Sequence, residues 1–126
     1  KFKIMRTIKI LLIDDHPLIL EGYQNVLNRL EIADIKFVIE TSDNCDQAWQ
    51  KIVSENYDVV FLDIMMPEFD GFQVLEQIRK IDPDASVIIV TADFSLETKK
   101  KLDSVHPTDI IYKPYDIKQI LKHLKI

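Results

Sequence analysis

The chain has 126 residues, 47% of them apolar, with a formal net charge of −5. That length supports one domain with its own core, and the acidic balance excludes a broad nucleic-acid surface. No apolar run approaches the about 20 residues that span a bilayer, and the single cysteine, Cys45, leaves no intrachain disulfide framework.

The lone thiol suits a reducing cytosol, so a cytoplasmic location is expected, and Cys45 reads as a small buried apolar residue. No signal peptide is evident, and the first residue is not Met, as in a trimmed segment. Lys1 to Arg6 is a basic and apolar lead-in to a domain over 7–126. Ile8-Lys9-Ile10-Leu11-Leu12-Ile13 is the first strand, running into Asp14-Asp15 and then His16-Pro17. Proline suits a helix's first turn. Leu20, Tyr23, Val26, Leu27 and Leu30 recur at helical spacing and predict a helix over 17–30. Ile35 to Glu40 is a second strand. Thr41-Ser42-Asp43-Asn44 is rich in capping residues, and Ala48, Trp49, Ile52 and Val53 give a helix over 45–55 its apolar stripe.

Val59-Val60-Phe61-Leu62 runs without a polar break into Asp63. A strand covered on both faces by helices has no polar face to alternate, so this reads as a buried parallel strand. Pro67 ends regular structure, and Asp70 caps a helix through 81 with Phe72, Val74, Leu75 and Ile78 inward. Val87-Ile88-Ile89-Val90 is a fourth buried strand, ending in Thr91. Ser95 to Ser104 is a weakly amphipathic helix anchored by Leu96 and Leu102, with Lys99-Lys100-Lys101 exposed. Asp109 to Tyr112 is a short fifth strand, ending in Lys113-Pro114. Ile117, Ile120, Leu121 and Leu124 mark a last amphipathic helix.

Five strands alternating with five helices make an α/β fold with a parallel sheet and right-handed crossovers. Only Gly22 and Gly71 occur, so neither a Gly-rich phosphate loop nor a GxGxxG fingerprint is present. In a sheet of order 2-1-3-4-5 the crevice at the switch point lies between strands one and three, flanked by Asp15 and Asp63. Asp14, Asp15 and Asp63 crowded there repel one another unless a cation neutralises them. An oxygen-only set points to a hard divalent ion. Mg²⁺ fits best, keeping several waters and a phosphate oxygen beside few carboxylates. Thr91 can hydrogen-bond a phosphoryl oxygen and Lys113 can neutralise one. The simplest chemistry is attack by Asp63 on a phosphoryl donor to give an aspartyl phosphate.

From about Thr7 onward the chain resembles the receiver domain of two-component response regulators. The resemblance rests on Asp14-Asp15, Asp63 with Met66-Pro67 and Asp70-Gly71, Thr91-Ala92, and Lys113-Pro114. It implies a flavodoxin-like or CheY-like (βα)5 doubly wound three-layer sandwich. It implies that Asp63 takes a phosphoryl group from a sensor histidine kinase or phosphotransfer protein, with Thr91 and Lys113 assisting. Asp15 and Asp63 would hold Mg²⁺ directly, Asp14 through water, and the Met65 carbonyl would complete the protein ligands. Such a domain catalyses its own phosphorylation and dephosphorylation, switches conformation, and can pair with a second copy when phosphorylated. Kinase docking is expected around Leu18 to Gly22 and Pro114-Tyr115. The Asp-His-Pro opening is similar to receivers that precede a helix-turn-helix output domain, which implies control of transcription by a longer regulator. One departure concerns Ile110, where many receivers carry Tyr or Phe; Tyr112 stands next to the lysine instead.

The alternative is a receiver-like interaction module that signals without phosphorylation; the complete acid set argues against it. A haloacid-dehalogenase-type phosphatase expects a second aspartate two residues after the nucleophile, where this chain has Met65. His16 reads as a turn residue rather than a ligand, Met65 and Met66 as packing residues, and Trp49 as core or near-core.

Overall fold

The computed structural model describes residues 5–66 and 70–124, apart from the side chain of Cys45. The expectations for Lys1 to Ile4, Pro67 and the burial of Cys45 lie outside these. Five strands, β1 (Arg6–Ile13), β2 (Ile35–Ser42), β3 (Val59–Asp63), β4 (Val87–Thr91) and β5 (Asp109–Tyr112), alternate with five helices. The helices are α1 (Pro17–Asn28), α2 (Cys45–Ser54), α3 (Gly71–Ile81), α4 (Leu96–Val105) and α5 (Ile117–Lys122). The sheet order is β2-β1-β3-β4-β5, with every neighbouring pair parallel.

The apolar runs explain the layers. Every residue of β3 and β4 is buried, because helices cover both faces of these central strands. On one face Leu11, Ile13, Val60, Leu62, Val87 and Ile89 pack with Ala48 of α2, Val74, Leu75 and Ile78 of α3, and Leu102 of α4. On the other, Ile8, Ile10, Leu12, Phe61, Ile88 and Val90 pack with Leu20 and Leu27 of α1 and with Ile120 of α5. Successive strand residues supply opposite cores, as the two-residue period requires. Truncating a fully buried leucine such as Leu75 to Ala costs about 2–5 kcal/mol through lost contacts and the cavity left. Trp49 packs at the margin of the first core, as expected.

Three local expectations are corrected. The first two strands are longer than their apolar runs. Arg6 already pairs with Ile35, and Thr41 and Ser42 continue the ladder opposite Leu12 and Ile13. β2 is an edge strand, so polar residues stay in register there without burial on both faces. The helices after the first and second strands stop at Asn28 and Ser54, short of 30 and 55. Finally, Leu96 does not anchor α4; it is 67% exposed. Ser95 is the cap, its hydroxyl accepting from the Thr98 N–H. Leu96 and Leu102 are six residues apart, and at about 100° per residue they cannot share a face. Leu102 instead shares the inner stripe with Val105. Lys99, Lys100 and Lys101 are exposed as expected, and Lys101 Nζ lies 4.1 Å from the Phe72 ring centroid. Among the described residues, no helix is long and apolar enough to cross a membrane.

Candidate functional site

All five strands point the same way, so their carboxyl ends lie on one edge, and the charged residues that end the apolar runs meet there. Asp63 ends β3, Asp14 and Asp15 follow β1, Thr91 ends β4, and Lys113 follows β5. The Asp14 N–H donates to the Ser42 carbonyl (3.1 Å) and the Ile64 N–H to the Val90 carbonyl (3.3 Å), which extends the sheet into the site.

Lys113 is the hinge of the arrangement. Its Nζ lies 2.8 Å from Asp63 Oδ2 and 3.2 Å from Asp14 Oδ2. Its backbone N–H donates to the Thr91 carbonyl at 2.8 Å, which fixes the side chain's root against β4. The other Asp63 oxygen, Oδ1, accepts from the Met65 N–H at 2.9 Å. Asp63 is 2% exposed and Asp14 4%, so both are held nearly out of water. Burial raises the Asp14 carboxyl. Hydrogen bonds from His16 and the charge of Lys113 outweigh this and hold it below the ordinary carboxylate range. Burial lowers the Lys113 ammonium, yet the Asp63 hydrogen bond and the charges of Asp63 and Asp14 leave it above its usual value.

His16 has a larger part than its place in a turn suggested. It stands at the N-cap position of α1 without capping it by its side chain. Its Nδ1 lies 2.7 Å from Asp14 Oδ1 and 2.9 Å from Asp15 Oδ1. The hydrogen bond to Asp14 and the charges of both acids raise the imidazole above its usual value. The Asp-Asp-His run was the signal for this contact, but its chain order alone does not show which way the ring turns.

The well-aligned hydrogen bond of Nδ1 is to Asp14, and the buried Oδ1 of Asp15, although 2.9 Å from the same nitrogen, has no aligned hydrogen-bond partner among the described residues. A buried carboxylate oxygen without a partner, in a cluster of acids, leaves room for a water or a cation there. Asp14, Asp15, His16 and Asp63 each offer one ligand atom, all within 4.8 Å of one another. Three carboxylate donors suit a hard divalent ion. A small ion that keeps most of its waters fits a set so few in protein ligands.

Thr91 is fully buried, and its Oγ1 accepts from the Asp93 N–H at 3.0 Å. Asp93 in turn accepts from the Ser95 N–H (2.8 Å) and the Thr98 hydroxyl (2.6 Å). A polar chain therefore runs from the end of β4 into α4. Ile110 is half-buried against the first core. Tyr112, opposite Thr91 in register, stacks on Phe94 of the β4–α4 loop, with centroids 4.7 Å apart. Leu18 is 83% exposed, as docking would need. Tyr115 is not free in the same way, because it stacks on Tyr23 of α1.

A family model described as the response regulator receiver domain matches residues 10–125. The chain belongs to the response regulator receiver family. The receiver is 33% identical over 113 residues to the sensory transduction protein LytR of Staphylococcus haemolyticus, covering 89% of this chain and 42% of that protein. It is 31% identical over 117 residues to the transcriptional regulatory protein QseB of Haemophilus influenzae, covering 93% of this chain and 51% of that one. The receiver thus spans about half the length of these curated relatives. A CheY-like receiver domain protein of Methanospirillum hungatei has the same fold, with a TM-score of 0.84 at 25% identity, over 95% of this chain and 92% of that one. The expected five-stranded CheY-like architecture is thereby borne out.

Proposed function

We propose that this receiver takes a phosphoryl group onto Asp63 from the phosphohistidine of a sensor histidine kinase or phosphotransfer protein, and that the resulting change of shape controls an output, transcriptional in kind. The observation that carries the reading is Lys113 Nζ bridging Asp63 and Asp14 beside the orphaned oxygen of Asp15. A carboxylate oxygen of Asp63 attacks phosphorus in line, a P–O bond forms, the donor's P–N bond breaks, and the imidazole leaves with the bonding pair. Asp15 and Asp63, with Asp14 through water and the Met65 carbonyl, would hold Mg²⁺. Bound there, the ion supplies charge neutralisation for the transferring group.

The chain's own groups do the rest. The Met65 N–H orients Asp63 by holding one oxygen. Lys113 leaves the carboxylate for a phosphoryl oxygen, a move of one hydrogen-bond length that keeps its charge paired. The Thr91 hydroxyl donates to another phosphoryl oxygen. Because Thr91 also anchors Asp93, that donation pulls on the polar chain into α4. Contacts made only with the phosphorylated form are what shift a population between two states. We extend the reading to pairing with a second copy on phosphorylation, which gel filtration with beryllofluoride would detect. The decisive experiment is intact mass after incubation with acetyl phosphate and Mg²⁺. One added phosphate is expected, absent in Asp63→Asn; equal labelling of the variant would refute the assignment, and no labelling of either would favour a module that signals without phosphate.

A further inference from the structure

Lys113 does its work from a segment with few supports. Behind it, its own N–H is tied to the Thr91 carbonyl. Ahead of it, Asp116 is already engaged in capping α5, where its side chain and that of Gln119 exchange hydrogen bonds with each other's backbone. Between these points, Pro114 is exposed. An open hollow of about 360 Å³, lined by Ile19, Tyr23, Ala92, Lys113, Pro114 and Tyr115, lies alongside. Packing on that side therefore does not hold the lysine in place.

One side chain spans the gap. The Tyr23 hydroxyl, on α1, donates to the Tyr115 carbonyl at 3.1 Å, a contact across 92 positions of sequence. The two rings lie nearly parallel, 8° apart, with centroids 5.1 Å from each other. Among the described residues this is the one polar tie from residues 114–115 to another element. Tyr23 is itself fixed, because Leu20 and Leu27 bury the same helix in the second core, against which Tyr23 and Tyr115 also pack. A hydroxyl bond and a ring stack from one residue constrain both the height and the tilt of the strand-to-helix turn.

We propose that Tyr23 is a positioning residue for the phosphoryl chemistry, acting through Tyr115 to hold the Lys113 ammonium between Asp63 and Asp14. This rests on the reading that Lys113 serves a phosphoryl group at Asp63. Tyr23 touches none of the reacting atoms. It lies on the same helix as the exposed Leu18 and Ile19, so a partner seated on α1 presses on the same support.

The test separates position from chemistry. Lysine side chains are followed by NMR at Nζ in the full chain, without Mg²⁺ or phosphodonor, with Lys113 assigned by the loss of its signal in Lys113→Arg. The wild-type signal should stand apart from the exposed lysines, because carboxylates flank it. In Tyr23→Leu, which loses ring and hydroxyl, it should move most of the way to them; in Tyr23→Phe, which keeps the stack and the fold, only part of the way. Phosphate uptake from acetyl phosphate should slow by about fivefold or more in Tyr23→Leu, the scale of one lost tie in a transition state, and less in Tyr23→Phe. An unmoved Lys113 signal in folded Tyr23→Leu overturns the proposal, and so does a moved signal with unchanged uptake. A wild-type protein that takes up no phosphate overturns the reading of Asp63 instead, and the Lys113 signal then still decides whether Tyr23 holds the lysine.

Discussion

Replacing Lys113 by Met keeps most of the stem's volume and removes the one ammonium between two buried carboxylates. At 2.8 and 3.2 Å, and with an effective dielectric of about 20, the gross attractions are roughly 6 and 5 kcal/mol. Most of that offsets the cost of taking the charges out of water. Breaking a buried pair and stranding its partner costs about 3–5 kcal/mol in general. The Lys113 side chain is 23% exposed, so the low end applies. In EDTA, Lys113→Met should therefore lose about 3 kcal/mol of stability, a fall in Tm of roughly 10 °C for a domain of this size. The same change removes a cation that competes for the carboxylates, so Mg²⁺ should bind about tenfold more tightly, one factor of ten being about 1.4 kcal/mol. Thermal unfolding with and without Mg²⁺, followed by circular dichroism, measures both. Added Mg²⁺ should restore much more stability to the variant than to wild type. A variant as stable as wild type in EDTA, or one with weakened Mg²⁺ binding, would refute the view of Lys113 as the neutralising group of this cluster.

Other outcomes follow from the same structure. A Cβ on Gly71 would lie 2.8 Å from Ile64 Cγ2 and 3.0 Å from its Cα, so Gly71→Ala should destabilise by about 1–3 kcal/mol in urea unfolding, and unchanged stability would show that the turn after Asp63 yields freely. Leu18→Asp should slow phosphate transfer from a cognate kinase but not from acetyl phosphate; equal slowing with both donors would mean damage to the site. Hydrogen bonds from Thr98 and Ser95 hold the Asp93 carboxyl below its ordinary value of 3.8. A depressed carboxyl stabilises above its unfolded value and loses that contribution as pH falls through the folded one. The protection factor for amide exchange at the start of α4, taken against the intrinsic rate at each pH, should therefore fall below about pH 4 in wild type and stay constant there in Asp93→Asn.

What the sequence disclosed depended on which element places a residue. Asp63, Asp14 and Lys113 were legible because each ends or directly follows a strand. A buried parallel strand is recognisable as an unbroken apolar run, and parallel strands deliver their carboxyl ends to a common edge whatever the details of the helices. The 2-1-3-4-5 order is not written in those runs; it is what the resemblance to receiver domains implies, and the sheet has it. Residues placed by helix phase or turn geometry were less legible. Leu96 looked like an anchor because it is large and apolar, but six residues from Leu102 puts it on the outer side of α4. His16 sits in a turn, as expected, yet the turn folds its ring back onto Asp14 and Asp15. The Tyr23–Tyr115 stack joins positions 92 residues apart, and no local pattern marks either tyrosine as the other's partner.

Position 110 follows the same division. Ile110 is half-buried against the first core, where an apolar β-branched side chain suits an edge strand. The aromatic residue of this strand is Tyr112, whose stack with the exposed Phe94 lies over the β4–α4 loop. That loop is therefore tied by one partly wet aromatic pair and by the chain from Thr91 through Asp93 to Ser95 and Thr98. Its polar ties are partly exposed hydrogen bonds, whereas the carboxylates sit at the ends of buried strands. A group that binds at Asp63 and draws on Thr91 thus works against these few ties. The stiff strands hold the charge in place, and the loop leading into α4 can give.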